Sequence, residues 1–136
     1  MNNILVLLIG FALPLLLFPL EVLLPYPHVI EELAKLAIVL TLISWETNKS
    51  KTKYSLAVAF GIMFTFSETS FYLMNFWMLG NFELLPLRLV LTGSLHILTT
   101  LILYTTFRKH FVLGLLGLVL SIVLHFAFNT HLASRF

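Results

Sequence analysis

Glu31, Glu32 and Lys35 fall within five residues at the head of an otherwise apolar run, HVIEELAKLAIV. A charge at the centre of a membrane helix costs roughly 2.5–3.5 kcal/mol on insertion scales, so a run like this folds only where its charges meet partners or do work. At helical spacing Glu31 stands one turn before Lys35, the favourable orientation for an i,i+4 pair, while Glu32 lies about 100° further round. One carboxylate is thereby expected to pair with Lys35, leaving the other for chemistry. A solvated cap at a helix N-terminus fits this stretch equally well when it is taken alone.

The remaining composition decides the solvent. The 136 residues are 60% hydrophobic and 10% charged, which departs from a soluble domain in both respects and implies an integral membrane protein. The absence of cysteine excludes disulfides, thiolate nucleophiles and thiolate metal sites. All six acidic residues are glutamates, so a two-aspartate intramembrane protease site cannot be built. The net charge of +2 sits mainly in two short connections. It points away from nucleic acid and toward topology signals.

Five apolar helices are expected, at 4–24, 28–45, 54–79, 86–106 and 111–132, forming one all-α polytopic membrane helix bundle over residues 1–136. Pro14 and Pro19 are tolerable in the first, and no basic region precedes it, so it reads as a membrane helix and not a cleaved signal peptide. Pro25-Tyr26-Pro27, the hydrophilic ETNKSKTK, NFELL before Pro86, and Arg108-Lys109-His110 punctuate the rest. The positive-inside rule places 46–53 and 107–110 on the cytoplasmic side of a prokaryotic-type cytoplasmic membrane. With five crossings the N-terminus is then inside and the C-terminus outside.

Polar residues share faces. Gly61, Thr65, Glu68, Tyr72 and Asn75 line up on the third helix, Arg88, Thr92, His96 and Thr99 on the fourth, and Gly114, Gly117, Ser121, His125 and Asn129 on the fifth. The small and hydroxyl residues are ordinary interhelical packing, whereas Glu68, His96 and His125 are ionisable groups that mark a functional path. At about 1.5 Å of rise per residue, Glu68 and His125 lie roughly 21 Å above the basic connections, His96 about 15 Å below the other end of its helix, and Glu31 and Glu32 about 6–8 Å below it. All five fall in the outer half of the bilayer. Glu21, close to the outer end of the first helix, could join them or be interfacial, and Glu46, Glu83, His28, His110 and His131 read as solvated.

EELAK at 31–35, GIMFTFSE at 61–68, Arg88 ahead of His96, and HFAFN at 125–129 together resemble the PrsW family of intramembrane proteases. That family is grouped with the CAAX prenyl endopeptidases, the bacteriocin-immunity membrane proteases and the Aph scaffold subunit of gamma-secretase. A glutamate at position 68, where the prenyl endopeptidases carry histidine, favours the PrsW branch. The resemblance spans about 28–131. It implies peptide-bond hydrolysis of a membrane protein or peptide substrate within the lipid bilayer, with Glu31, Glu32, Glu68, His96 and His125 as catalytic residues and Lys35, Arg88 and Asn129 in support.

In that reading Glu31 or Glu32, with Glu68 or His96, takes a proton from water, and Glu32 is the residue whose change to glutamine is expected to stop turnover. Lys35 holds one glutamate ionised, and His125 with Asn129 faces the carbonyl oxygen. No cofactor is required, yet two histidines and a glutamate form a known catalytic zinc set, available from His96, His125 and either Glu32 or Glu68. No HExxH is present, and Ser94 points away from His96. The rival readings are a non-enzymatic scaffold of the Aph type and a proton pathway. The first lacks a need for a full acid and base set, and the second would string its groups across the membrane.

Overall fold

Alternation of long apolar runs with short polar connections produces an antiparallel helical bundle. The computed structural model describes residues 3–45, 50–79 and 82–131, so Glu46, Arg135 and the side chain of Asn75 lie outside the described residues. The helices are α1 (Asn3–Leu23), α2 (Pro27–Ser44), α3 (Ser50–Leu79), α4 (Leu85–Lys109) and α5 (Phe111–His131), with a single 3-10 turn, Phe82–Leu84, ahead of α4. No strand occurs among the described residues.

Two boundaries differ from expectation. The third helix starts at Ser50, inside the lysine-rich segment read as a turn. Lys53 explains part of this: its ammonium donates to the carbonyls of Leu42 at 3.0 Å and Trp45 at 2.9 Å, satisfying acceptors that the end of α2 leaves open. The fourth helix runs through Arg108 and Lys109, where cations favour the C-terminal end of a helix dipole. Only His110 interrupts the chain before α5. The Arg108 guanidinium lies 5.8 Å from the centre of the Tyr54 ring, so both basic connections share one end of the bundle.

Helix α3 packs against α1 and α4, while α2 lies against α1, α4 and α5. Val6, Leu42, Leu56, Phe60 and Phe64 form one apolar core, and Val39, Ala57, Leu103 and Tyr104 a second. Small residues set the approach of the helices. A Cβ on Gly61 would stand 3.0 Å from Ile97 Cα and 3.1 Å from the His96 carbonyl, so only glycine lets the α3 and α4 backbones meet there. Gly114 and Gly117 take Phe107 and Thr106 in the same way.

Asn3–Leu23, Lys53–Leu73, Leu85–Lys109 and Phe111–His131 are long and apolar enough to cross a membrane. Helix α2 is not among these four spans, because it carries Glu31, Glu32 and Lys35. All three are buried against other helices, which is where a charged membrane helix must put them. Helix α1 contains Pro14 and Pro19, and each removes one backbone donor from its interior.

Candidate functional site

Lys35 is fully buried and ties three helices together. Its ammonium donates to Glu32 Oε1 at 2.7 Å, His96 Nδ1 at 2.8 Å and Thr99 Oγ1 at 3.3 Å, and lies 4.8 Å from the centre of the Phe64 ring. The expected Glu31–Lys35 pair is therefore replaced by Glu32–Lys35, at i,i+3. The reason is tertiary: His125 of α5 reaches the same carboxylate, its Nδ1 lying 2.9 Å from Glu32 Oε1. Thr99, read as packing alone, belongs to this network.

An ammonium has no lone pair, so His96 accepts at Nδ1 and carries its proton on Nε2, which donates to Glu68 Oε2. The two side chains lean together because every Cβ tilts toward the N-terminus of its own helix and α3 and α4 run antiparallel. A carboxylate only accepts, so His125 donates from Nδ1 to Glu32, and its Nε2 lies 3.8 Å from Glu31 Oε2. The His96 and His125 rings stand 5.4 Å apart, edge to face.

Glu31, Glu32, Glu68, His96 and His125 are thus gathered at one end of the bundle, around Lys35. Arg88 is buried but stands aside, its guanidinium 3.4 Å from the centre of the Tyr72 ring. Asn129, half-buried, lies on the wall of an adjoining cavity of about 570 Å³. Glu21, Glu31, Glu68 and Tyr72 line that cavity too. Glu32, His96 and His125 are not among its lining residues; they stand behind it. Glu31 and Glu32, neighbours in sequence, consequently face different surroundings.

One residue lies elsewhere than the sequence suggests, and one that the sequence leaves open is placed. His28, read as solvated, is buried, its ring 6.4 Å from that of His125 and 5.3 Å from that of Phe126. Its position four residues before Glu32, on the same helical face, was the available signal. Glu21 is no mere interfacial residue: its Oε1 is buried without a hydrogen-bond partner beside Glu31 and Glu68 on the cavity wall. Glu83, His110 and His131 are exposed, and Ser94 is turned away, donating to the Val90 carbonyl at 2.8 Å.

Glu31, His96 and His125 each offer one ligand atom, all within 4.8 Å of one another. The set fits a divalent cation in three respects. Glu31 Oε2 is buried with no hydrogen-bond donor, His125 turns Nε2 toward it at 3.8 Å, and Glu32 and Glu68 stand behind the two histidines as ligand-orienting carboxylates do. Both His96 nitrogens are engaged, Nδ1 by the Lys35 ammonium and Nε2 by Glu68, so His96 would join such a set only with Lys35 displaced. Glu31 takes the place in this group that the sequence offers to Glu32 or Glu68.

The model of the PrsW family intramembrane metalloproteases matches residues 27–135. The chain belongs to this family. The match begins at the first residue of α2 and takes in every residue of the Lys35 network, while α1 lies outside it. At the level of its family this is an intramembrane protease, a multi-pass membrane protein of a group described as metallo-enzymes. No curated protein and no solved structure matches the chain.

Proposed function

We propose that this PrsW-family protein hydrolyses peptide bonds of membrane-associated substrates in the cavity beside Glu31 and Glu68, using one divalent cation, zinc in the first instance, held by Glu31, His96 and His125. The observation that carries this reading is the division of labour between adjacent glutamates. Glu32 is held through Oε1 by Lys35 and His125 behind the cavity, whereas Glu31 lines the cavity itself and is held by no such bond to Lys35. A cation of this kind, when bound, polarises a carbonyl and acidifies water.

The chain's own groups supply the rest. Glu68 faces the cavity and keeps one oxygen on His96, so it is oriented to take a proton from water and return it to the leaving amine. Asn129 offers an amide donor to the carbonyl oxygen as negative charge develops there. Glu32 and Lys35 hold His125 in one tautomer and one orientation. The basic connections are assigned to the cytoplasmic side, which puts the cavity in the outer half of the bilayer.

The test is cleavage of fluorogenic transmembrane peptides by the purified protein, with metal content measured on the same preparations. Activity lost to a chelator and restored by zinc, with metal lost from Glu31→Ala and His125→Ala, is the expected result. Full activity in a metal-free preparation would remove the cation and leave water activation to Glu68 and His96. Binding of peptides without any cleavage would favour a scaffold role.

A further inference from the structure

Three carboxylates, Glu21, Glu31 and Glu68, line one cavity, and no basic side chain lines it among the described residues. Glu68 is bonded to His96, and Glu31 approaches His125 Nε2 at 3.8 Å. Glu21 has neither: its Oε1 is buried and unpartnered, and it sits on α1, outside the span matched by the family model. Glu31, also on this wall, has its Oε2 buried and directed to His125.

The position of Glu21 is fixed. Phe18, one turn earlier on α1, stacks on Phe71 of α3 with ring centres 4.8 Å apart, pinning this end of α1 to the cavity wall. Phe18, Phe71 and Val22 give the cavity an apolar flank. A volume of about 570 Å³ is in the range of small-ligand pockets and admits a long side chain with part of its backbone.

A buried carboxylate without a cation is costly to keep. Its complement is a positive charge that arrives with the ligand. An apolar flank leading to a carboxylate suits the methylene stem and charged head of lysine or arginine, or a peptide's terminal ammonium beside an apolar residue. We infer that Glu21 receives a cationic group of the peptide next to the bond that is cut, and so sets the substrate preference of the site. This rests on the proteolytic reading above.

The experiment uses the full chain in nanodiscs with apolar peptides, N-acetylated and C-amidated, that differ at one position: lysine, norleucine or glutamate. A fourth peptide has norleucine and a free N-terminus. Binding is read by fluorescence anisotropy and cleavage by product release, so that the two properties are scored apart. Thermal unfolding checks that Glu21→Gln and Glu21→Lys fold.

The wild-type protein is expected to bind a cationic peptide roughly tenfold or more tightly than the acetylated norleucine peptide, in line with a charge-assisted hydrogen bond. The lysine and free-amine arms identify which cation is taken. Glu21→Gln brings the ratio to about one, and Glu21→Lys shifts preference to the glutamate peptide. Charge-selective binding that depends on Glu21, without cleavage of any peptide, upholds Glu21 as the cation site and sinks the proteolytic reading. Cleavage with no charge preference, or a preference unchanged in Glu21→Gln, overturns the role of Glu21 and leaves proteolysis standing. Neither binding nor cleavage overturns both.

Discussion

The two sides of the site are built on opposite principles. Around Lys35 every group is buried between α2, α4 and α5, and a single ammonium serves Glu32, His96 and Thr99. Across the Glu31–Glu32 peptide bond lies a cavity whose wall holds unpartnered carboxylate oxygens on Glu21 and Glu31. The closed side gathers its charges on Lys35 and sets geometry, with Glu32 Oε2 buried and unpartnered behind it. The open side leaves charges unmatched, which is what a site awaiting substrate, water or metal requires. Adjacent residues of one type can therefore belong to different functions.

The comparison is broken most directly at Lys35. Lys35→Met leaves the buried Glu32 carboxylate uncompensated and is expected to lower stability by about 3–5 kcal/mol, measured by unfolding in detergent. Adding Glu32→Gln to that variant should recover a large part of the loss. A Lys35→Met protein as stable as wild type would show that the closed side is not structural.

On the open side the reverse pattern is expected. Glu68→Gln keeps shape and its contact with His96 but removes the base, so turnover should fall by about 10²–10⁴-fold with the unfolding transition unmoved. If unfolding moves as far as it does for Lys35→Met, the distinction between the two sides collapses.

Glu32 stands between these extremes. As the carboxylate behind His125, its change to glutamine is expected to weaken zinc binding by about 10–100-fold, read by competition with a chromophoric chelator. Abolition of binding would make Glu32 a ligand, as the sequence reading allowed. The smallest effect belongs to Gly61→Ala, where the added methyl meets backbone of α4. A loss at the lower end of about 1–3 kcal/mol is expected, together with a weakened Glu68–His96 contact visible as reduced turnover.

The helices were legible because apolar runs and breakers such as Pro25-Tyr26-Pro27 act locally. Convergence of Glu68, His96 and His125 was expected from the helical faces they share together with their depth at a fixed rise per residue. Partner choice was not legible. Lys35 sits at good spacing from both Glu31 and Glu32, and only the arrival of His125 from 93 residues away selects Glu32. His28 and Glu21 look interfacial by position, since their surroundings come from helices distant in sequence, α5 beside His28 and α3 across the cavity from Glu21. The reach of α3 and α4 past their expected ends depends on what their lysines and arginines touch.

Helix α1 has a mechanical consequence. Pro14 and Pro19 deny the carbonyls of Gly10 and Leu15 their usual backbone donors, so this rod has two missing rungs. Phe18, Glu21 and Val22, which wall the cavity, lie beyond the first, and Glu21 and Val22 beyond both. With two backbone rungs missing, the end of α1 is held in place less by its own ladder than by the stack of Phe18 on Phe71 at the cavity wall. Pro14→Ala and Pro19→Ala would restore both rungs without touching the Lys35 network.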